Sequence, residues 1–408
     1  MGQMGNRQTV IRAAFVDQGV GRGVQGPVEI LLVDGSIANV SIGEQVVDRT
    51  AADCDVLSFP EATVLPGLVN AHVHLALDGG SDPMNALREA QADSLLPLMR
   101  ESAARCIKTG VTTVRECGAP SFLDIAIREE VRSGALGPRV VASGAVITTH
   151  GGHLAFMGLE ADTSDEIRAA VRTVHQAGAD FIKVIVSGGR IDPGATSDRY
   201  RSQYSEQELR CLVEEAHTFG MSVAAHAHAT TAIDVCTAVG VDSIEHCLWL
   251  SPRGQQYSPA VADRIAERHI FVVPTLSRSF PRKSTGGLDD PTLPSKDEHL
   301  SVLRQMRTAG VILVAGGDSG ASFTPQSEFP HELELFVRFG MTTSQALEAA
   351  TLTAARCLGV DGQTGSVEAG KSADLLVVPG DLSQSLTGLW QPLAVFKGGE
   401  LMATNPGT

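Results

Sequence analysis

Aromatic side chains make up only 4% of this 408-residue chain, with two tryptophans among them. That scarcity argues against a surface on which nucleobases or sugars stack. Positive charge is also in deficit: 32 Lys and Arg stand against 47 Asp and Glu, a formal net charge of −15. A field of that sign repels phosphate backbones. Cysteines number seven, at Cys54, Cys106, Cys117, Cys211, Cys236, Cys247 and Cys357, and none falls in a CxxC pair. An odd, scattered set reads as reduced, buried thiols of a cytosolic protein rather than a disulfide framework. Residues 1–26 contain arginines and glycines but no apolar stretch of the kind a secretory signal needs. One uncharged run, from Val140 to Leu159, invites a test as a membrane span, but His150, His153 and its glycines make it a poor one. A buried strand followed by a functional loop explains it better. The expectation is a soluble, cytoplasmic protein. Its expected partners are a small-molecule substrate and copies of itself in a homo-oligomer, with neither nucleic acid nor membrane.

Hydrophobic residues are plentiful at 43%, and charged ones reach 19%, which excludes disorder and collagen-like repetition. At roughly 150 residues per domain the length allows two or three domains, although one α/β barrel commonly runs to about 250 residues. Short β-branched runs alternate with longer stretches of helical spacing, the pattern of βα units around a parallel sheet. Eight strands are expected, at 63–74, 111–117, 139–148, 181–187, 222–228, 243–248, 270–275 and 311–316. Helices are expected between them, including 86–108, 164–177, 206–219, 231–239, 259–268 and 296–308. Gly110, Gly178, Gly220, Gly240 and Gly310 each follow a helix and precede a strand, where a C′ glycine belongs. Eight such units make a TIM (β/α)8 barrel the economical fold, with a doubly wound open sheet as the alternative. The two ends read differently, as short strands and turns. Residues 1–62 and 363–408 are therefore expected to build a composite β-sandwich domain, with the barrel at 63–362 inserted between them.

His72 and His74 close the first barrel strand, and a spacing of two places both imidazoles on one face. At a strand's C-terminal end that face points into the mouth of a barrel. Neutral imidazole is the commonest protein ligand for a divalent transition metal. Lys183 lies in FIKVIVS (181–187), apolar enough to bury it with nowhere for the amine to snorkel. Burial disfavours the ammonium form. A neutral amine can add CO2 to form a carbamate, an anionic ligand with two oxygens that can bridge two metals. His226 and His228 share one strand face, His246 ends the SIEH run (243–246), and Asp318 ends the eighth strand. A core histidine or a capping aspartate could explain any one of them. Their joint recurrence at strand C-termini points to a metal site.

The same residues carry a resemblance to the amidohydrolase superfamily, in its branch of imidazolonepropionase-like and prolidase-like metal-dependent hydrolases. It rests on LPGLVNAHVH (65–74), GVTTVR (110–115), GGH (151–153), FIK (181–183), AHAH (225–228), SIEH (243–246) and GGDS (316–319). ALEAATLTAAR (346–356) and GSVEAGKSADL (365–375) extend it to nearly the whole chain. The resemblance implies two divalent ions, with zinc the expected metal, held by His72, His74, Lys183, His226, His246 and Asp318. It implies that Lys183 is carboxylated and bridges the ions. It also implies a bridging hydroxide that attacks the substrate carbonyl carbon, after which the C–N bond breaks, while Asp318 takes up its proton and passes it to the leaving amine. Two departures are mild: Glu116 follows Arg115 where aspartate is usual, and Gly317 stands where threonine often precedes the aspartate.

His150 and His153 follow the third strand, and Tyr204 follows the fourth. These, with His228, are expected to contact substrate, and Arg190 could pair with a substrate carboxylate. His175, His217, His269 and His299 fall on helices or their ends and take no role. A dipeptide or N-acyl amino acid is the expected substrate. The alternative is a cyclic amide, carbamate, urea or other small xenobiotic amide. A dead scaffold is the reading from another class, and it would have lost ligands where here all six positions are filled.

Overall fold

The computed structural model describes residues 8–43, 54–189, 198–282 and 294–404. Eight parallel strands form the inner wall of the larger part: Leu68–Val73, Val111–Glu116, Arg139–Ala142, Ile182–Ile185, Val223–Ala229, Ser243–Ser251, Phe271–Val273 and Ile312–Leu313. Nearly every residue in them is buried, the mark of strands covered on both faces. The ring closes where the amide of Ala71 donates to the carbonyl of Ala315 at 3.1 Å and that of His74 to Ser319 at 2.7 Å. The result is a TIM-like barrel. Helices cover it through apolar stripes at 3.6-residue spacing. On Ser164–Gln176 the buried set is Ile167, Ala170, Val171 and Val174. Capping boxes open this helix (Thr163 with Glu166) and Glu206–Thr218 (Ser205 with Glu208). The five helix-terminal glycines all have positive φ, Gly240 at 79° being typical.

A second, mixed sheet is built from both ends of the chain. Its order runs Glu400–Thr404, Ala394–Lys397, Leu375–Pro379, Cys54–Pro66, Gln8–Asp17, Val28–Val33, Ser36–Ile42, with Val24–Gln25 also pairing Gln8–Asp17. Ile11, Val16, Ile30, Val64, Leu375 and Phe396 belong to its own core cluster. Among the described residues no helix is long and apolar enough to cross a membrane. The seven cysteines are free, and all but Cys54 are buried.

Three expected elements divide. The run 63–74 is two strands: Cys54–Pro66 belongs to the mixed sheet, and Leu68–Val73 opens the barrel. Between them Gly67 passes so close to Thr112 that a Cβ would lie 2.1 Å from its Oγ1. Residues 62–66 and 68–73 on either side of it are all buried, so hydrophobicity does not register the change of sheet. The stretch 86–108 is two helices, Pro83–Glu89 and Ala92–Lys108, parted by extended backbone at Ala90. The run 139–148 likewise separates into Arg139–Ala142 and Ile147–Thr148.

Candidate metal centre

The C-terminal ends of the barrel strands bring His72, His74, Lys183, His226, His228, His246 and Asp318 to one cavity. Two sets of donors emerge. The ligand atoms of His72, His74 and Asp318 lie within 4.8 Å of one another, and so do those of His226, His228 and His246. Asp318 Oδ1 is 3.4 Å from His74 Nε2 and 3.6 Å from His72 Nε2. The rings of His72 and His246 approach to 5.0 Å between centroids, so the sets adjoin. His246, Thr275 and Asp318 all adopt positive φ (67°, 48° and 49°). Left-handed backbone is uncommon for such residues and gathers where function over-determines the chain.

Each set is held from behind. The Nδ1–H of His72 donates to Glu245 Oε2 at 2.7 Å, leaving Nε2 with its lone pair toward Asp318. Glu245 accepts at its other oxygen from Arg115 Nη2 (2.6 Å) and from the Ser243 hydroxyl (2.7 Å), and Arg115 Nε donates to the carbonyl of Ala71 (2.7 Å). Burial opposes ionisation of Glu245, yet Arg115 and then His72 hold its carboxyl well below the usual carboxylate range. His246 Nδ1 lies 2.8 Å from the Thr275 hydroxyl, which leaves its Nε2 to the cavity. Glu116 accepts from the amides of Leu75 (3.1 Å) and Gly118 (2.7 Å), pinning the backbone just after His74.

These surroundings suit metal donors. Burial, with the charge of Lys183 adding to it, pulls the His72 imidazole down to about 4. Burial, followed by His153 and Arg199, takes His228 to about 3. His226 and His246 lie well below the ordinary value, through burial and then neighbouring imidazoles. All four are neutral at pH 7 and offer lone pairs. Among the described residues Lys183 Nζ, His226 Nε2 and His228 Nδ1 are buried without a hydrogen-bond partner. Buried polar atoms are rarely left so, and a cation held beside the two imidazoles supplies what their lone pairs lack. The residues present fit a divalent metal.

His153 also reaches the cavity. Its ring lies 5.1 Å from that of His226 and packs over Gly189, where a Cβ would come within 2.3 Å of Nε2. The structure does not bring His150 and Tyr204 to this cavity. His150 is exposed and pairs with Asp162 at 3.0 Å, while the buried Tyr204 hydroxyl donates to the carbonyl of Ala161 at 2.9 Å. Both line a separate polar depression. Other residues of the same two segments, His153, Leu154 and Arg199 among them, do line the cavity, so sequence position alone does not tell which side chain of a loop faces the mouth. Arg190 lies outside the described residues.

Sequence reasoning missed Glu245, Arg115, Thr275 and two cavity arginines, Arg199 and Arg278. A signal existed for the first two: a charge inside a fully buried parallel strand must find a partner. Strict alternation also misleads at Glu245 and His246, because the positive φ of His246 breaks it. Glu245→Gln is expected to lower metal affinity by about 10–100-fold, the usual cost of losing a carboxylate behind a ligating imidazole. Competition against a chromogenic chelator measures this, and unchanged affinity would remove Glu245 from the site.

Glu332 pins the backbone after the seventh strand, accepting from the amides of Leu276 (2.9 Å) and Ser277 (2.6 Å) next to Thr275. Burial raises its carboxyl from 4.5 to about 7, against the pull of those amides. The folded state then holds this proton more tightly than the unfolded chain. Its contribution to stability is greatest below pH 4.5 and falls away as pH climbs toward 7, by about 3 kcal/mol in all. Glu332→Gln should flatten that decline in urea titrations near pH 5 and pH 8. An equal slope in the variant would assign it to another group.

The Amidohydrolase family profile matches residues 63–402. The chain is similar to ochratoxinase of Aspergillus niger, 26% identical over 376 residues that span 83% of this chain and 75% of the relative. Among solved structures it resembles a Xaa-Pro dipeptidase with methionine bound in the active site, at 28% identity and a TM-score of 0.83 over 97% of this chain and 99% of that one. A prolidase complexed with N-methylphosphonate-L-proline has the same TM-score, 0.83, and the same coverage, 97% and 99%, at 25% identity.

Proposed function

The chain belongs to the amidohydrolase family, metal-dependent hydrolases acting on carbon–nitrogen bonds, and on that premise we propose that it cleaves the amide bond of an N-acyl amino acid or dipeptide at a pair of divalent ions. One observation carries the reading: the buried amine of Lys183, without a hydrogen-bond partner among the described residues, shares the cavity with two three-residue donor sets at the barrel mouth. His72, His74 and Asp318 would hold one ion and His226 and His246 the other, with a carboxylated Lys183 between them. Bound divalent ions, zinc being the first expectation, supply an acidified water and polarise the scissile carbonyl.

The chain's own groups do the rest. Glu245 keeps the His72 proton on Nδ1, so that Nε2 stays a donor. Asp318 accepts a proton from the attacking water at a carboxylate oxygen and returns it to the nitrogen of the departing amine. His153 borders the second donor set, and His228 is the member of it left without an ion in this assignment; both are suited to orient the carbonyl oxygen. The relatives described as Xaa-Pro dipeptidase and prolidase support an amino acid as the leaving group. The test is hydrolysis of N-acyl-L-methionines and methionyl dipeptides before and after chelation. Activity should vanish with the metal and return with zinc and bicarbonate. Undiminished hydrolysis by the metal-free protein would refute the proposal.

A further inference from the structure

The cavity above the two donor sets is divided in polarity. One half is walled by Ala76, Leu77, Met84, Leu87, Leu154 and Met157, from the segments that follow the first and third barrel strands. The Arg88 guanidinium lies 4.5 Å from the centroid of the Phe156 ring, tying the Pro83–Glu89 helix to the Ala155–Met157 turn at the rim of this wall. The apolar half is therefore built before anything binds. Arg199 and Arg278 also line the cavity, and the charges of both bear on His228. Among the described residues lining the cavity, Asp318 is the one carboxylate, and it faces His72 and His74.

This division discriminates between the two substrate types proposed above. Both have a carboxylate on the leaving amino acid, and two guanidiniums suit it. They differ at the other end. A dipeptide carries an ammonium next to the scissile carbonyl, and the described lining offers it apolar side chains and no carboxylate other than Asp318. Burying an unpaired cation is among the costliest events in recognition. A plain acyl chain has no such demand and gains from every methylene it removes from water.

We propose that the site selects N-acyl amino acids with an apolar acyl group and rejects dipeptides with a free amino terminus. The proposal rests on the amide-hydrolase reading above and narrows it. The matched probes are N-hexanoyl-L-methionine and L-norleucyl-L-methionine, which share every heavy atom of the chain except the α-amino group.

The experiment measures kcat/KM on zinc-loaded enzyme for that pair, for N-acetyl- and N-butanoyl-L-methionine, and for N-hexanoyl-L-methioninamide. The hexanoyl compound should exceed the norleucyl dipeptide by about 10²-fold or more. The acyl series should rise by up to about fourfold per methylene, the gain for full burial. Arg278→Met should raise KM for N-hexanoyl-L-methionine and leave that of the amide unchanged. Met84→Glu, which introduces a carboxylate into the apolar wall, should narrow the preference by tenfold or more. A dipeptide cleaved as well as its acyl counterpart, or a flat acyl series, would overturn the selectivity and leave the hydrolase reading standing. Failure to cleave any of these bonds would overturn both.

Discussion

Asp318→Asn is expected to lower kcat by about 10²–10⁴-fold, the usual cost of removing a general acid–base group. The asparagine keeps the size of the side chain and one oxygen toward His72 and His74, so the fold and most of the metal should remain. What it cannot do is receive a proton. In the native site burial opposes ionisation of Asp318, but the hydrogen bond with His74 and the neighbouring imidazoles hold its carboxyl far below the usual carboxylate range. The group is thus ionised at neutral pH. An interaction made only in the transition state lowers kcat, whereas uniform binding alters KM. His153→Ala, which touches no proton in the proposed chemistry, should therefore cost less and fall partly on KM. Turnover by Asp318→Asn near that of the native enzyme would transfer the proton to His228 or His153.

Lys183→Ala should cost more than about 10²-fold in kcat/KM. Loss of a group one layer behind a metal costs about 10–100-fold, and a bridging ligand stands closer than that. Lys183 is 1% exposed within Ile182–Ile185 and its amine has no acceptor among the described residues. Conversion to a carbamate would give that position two anionic oxygens between the donor sets. Added acetate or propionate should partly restore the alanine variant by filling the vacated volume with a carboxylate. Bicarbonate should likewise speed recovery of the native enzyme from its metal-free form. A crystal structure of active holoenzyme with a bare amine at Lys183 would contradict the carbamate.

Much of this site could be read from the chain because its chemistry is local to strand ends. Two-residue spacing places His72 with His74 and His226 with His228, and burial of Lys183 follows from the apolar run around it. The alternation of strand and helix, punctuated by glycines such as Gly240, carried the barrel. What escaped were relations between distant positions. Arg115 and Glu245 are 130 residues apart and meet only inside the closed ring. Thr275 and Arg278 sit on a short turn after the seventh strand, where no periodicity marks them. His150 and Tyr204 lie close in sequence to strand ends, yet their side chains line a separate depression while neighbours such as His153 and Arg199 reach the cavity. Gly67 hides the change from one sheet to the other, since the residues immediately on both sides, 62–66 and 68–73, are all buried.

The central claim is that two divalent ions share this cavity, and the ratio of metal to protein in fully active enzyme tests it most directly. Elemental analysis alongside a titration of metal-free protein with zinc should place full activity at about two ions per chain. Full activity at one ion per chain, or at none, would contradict the account.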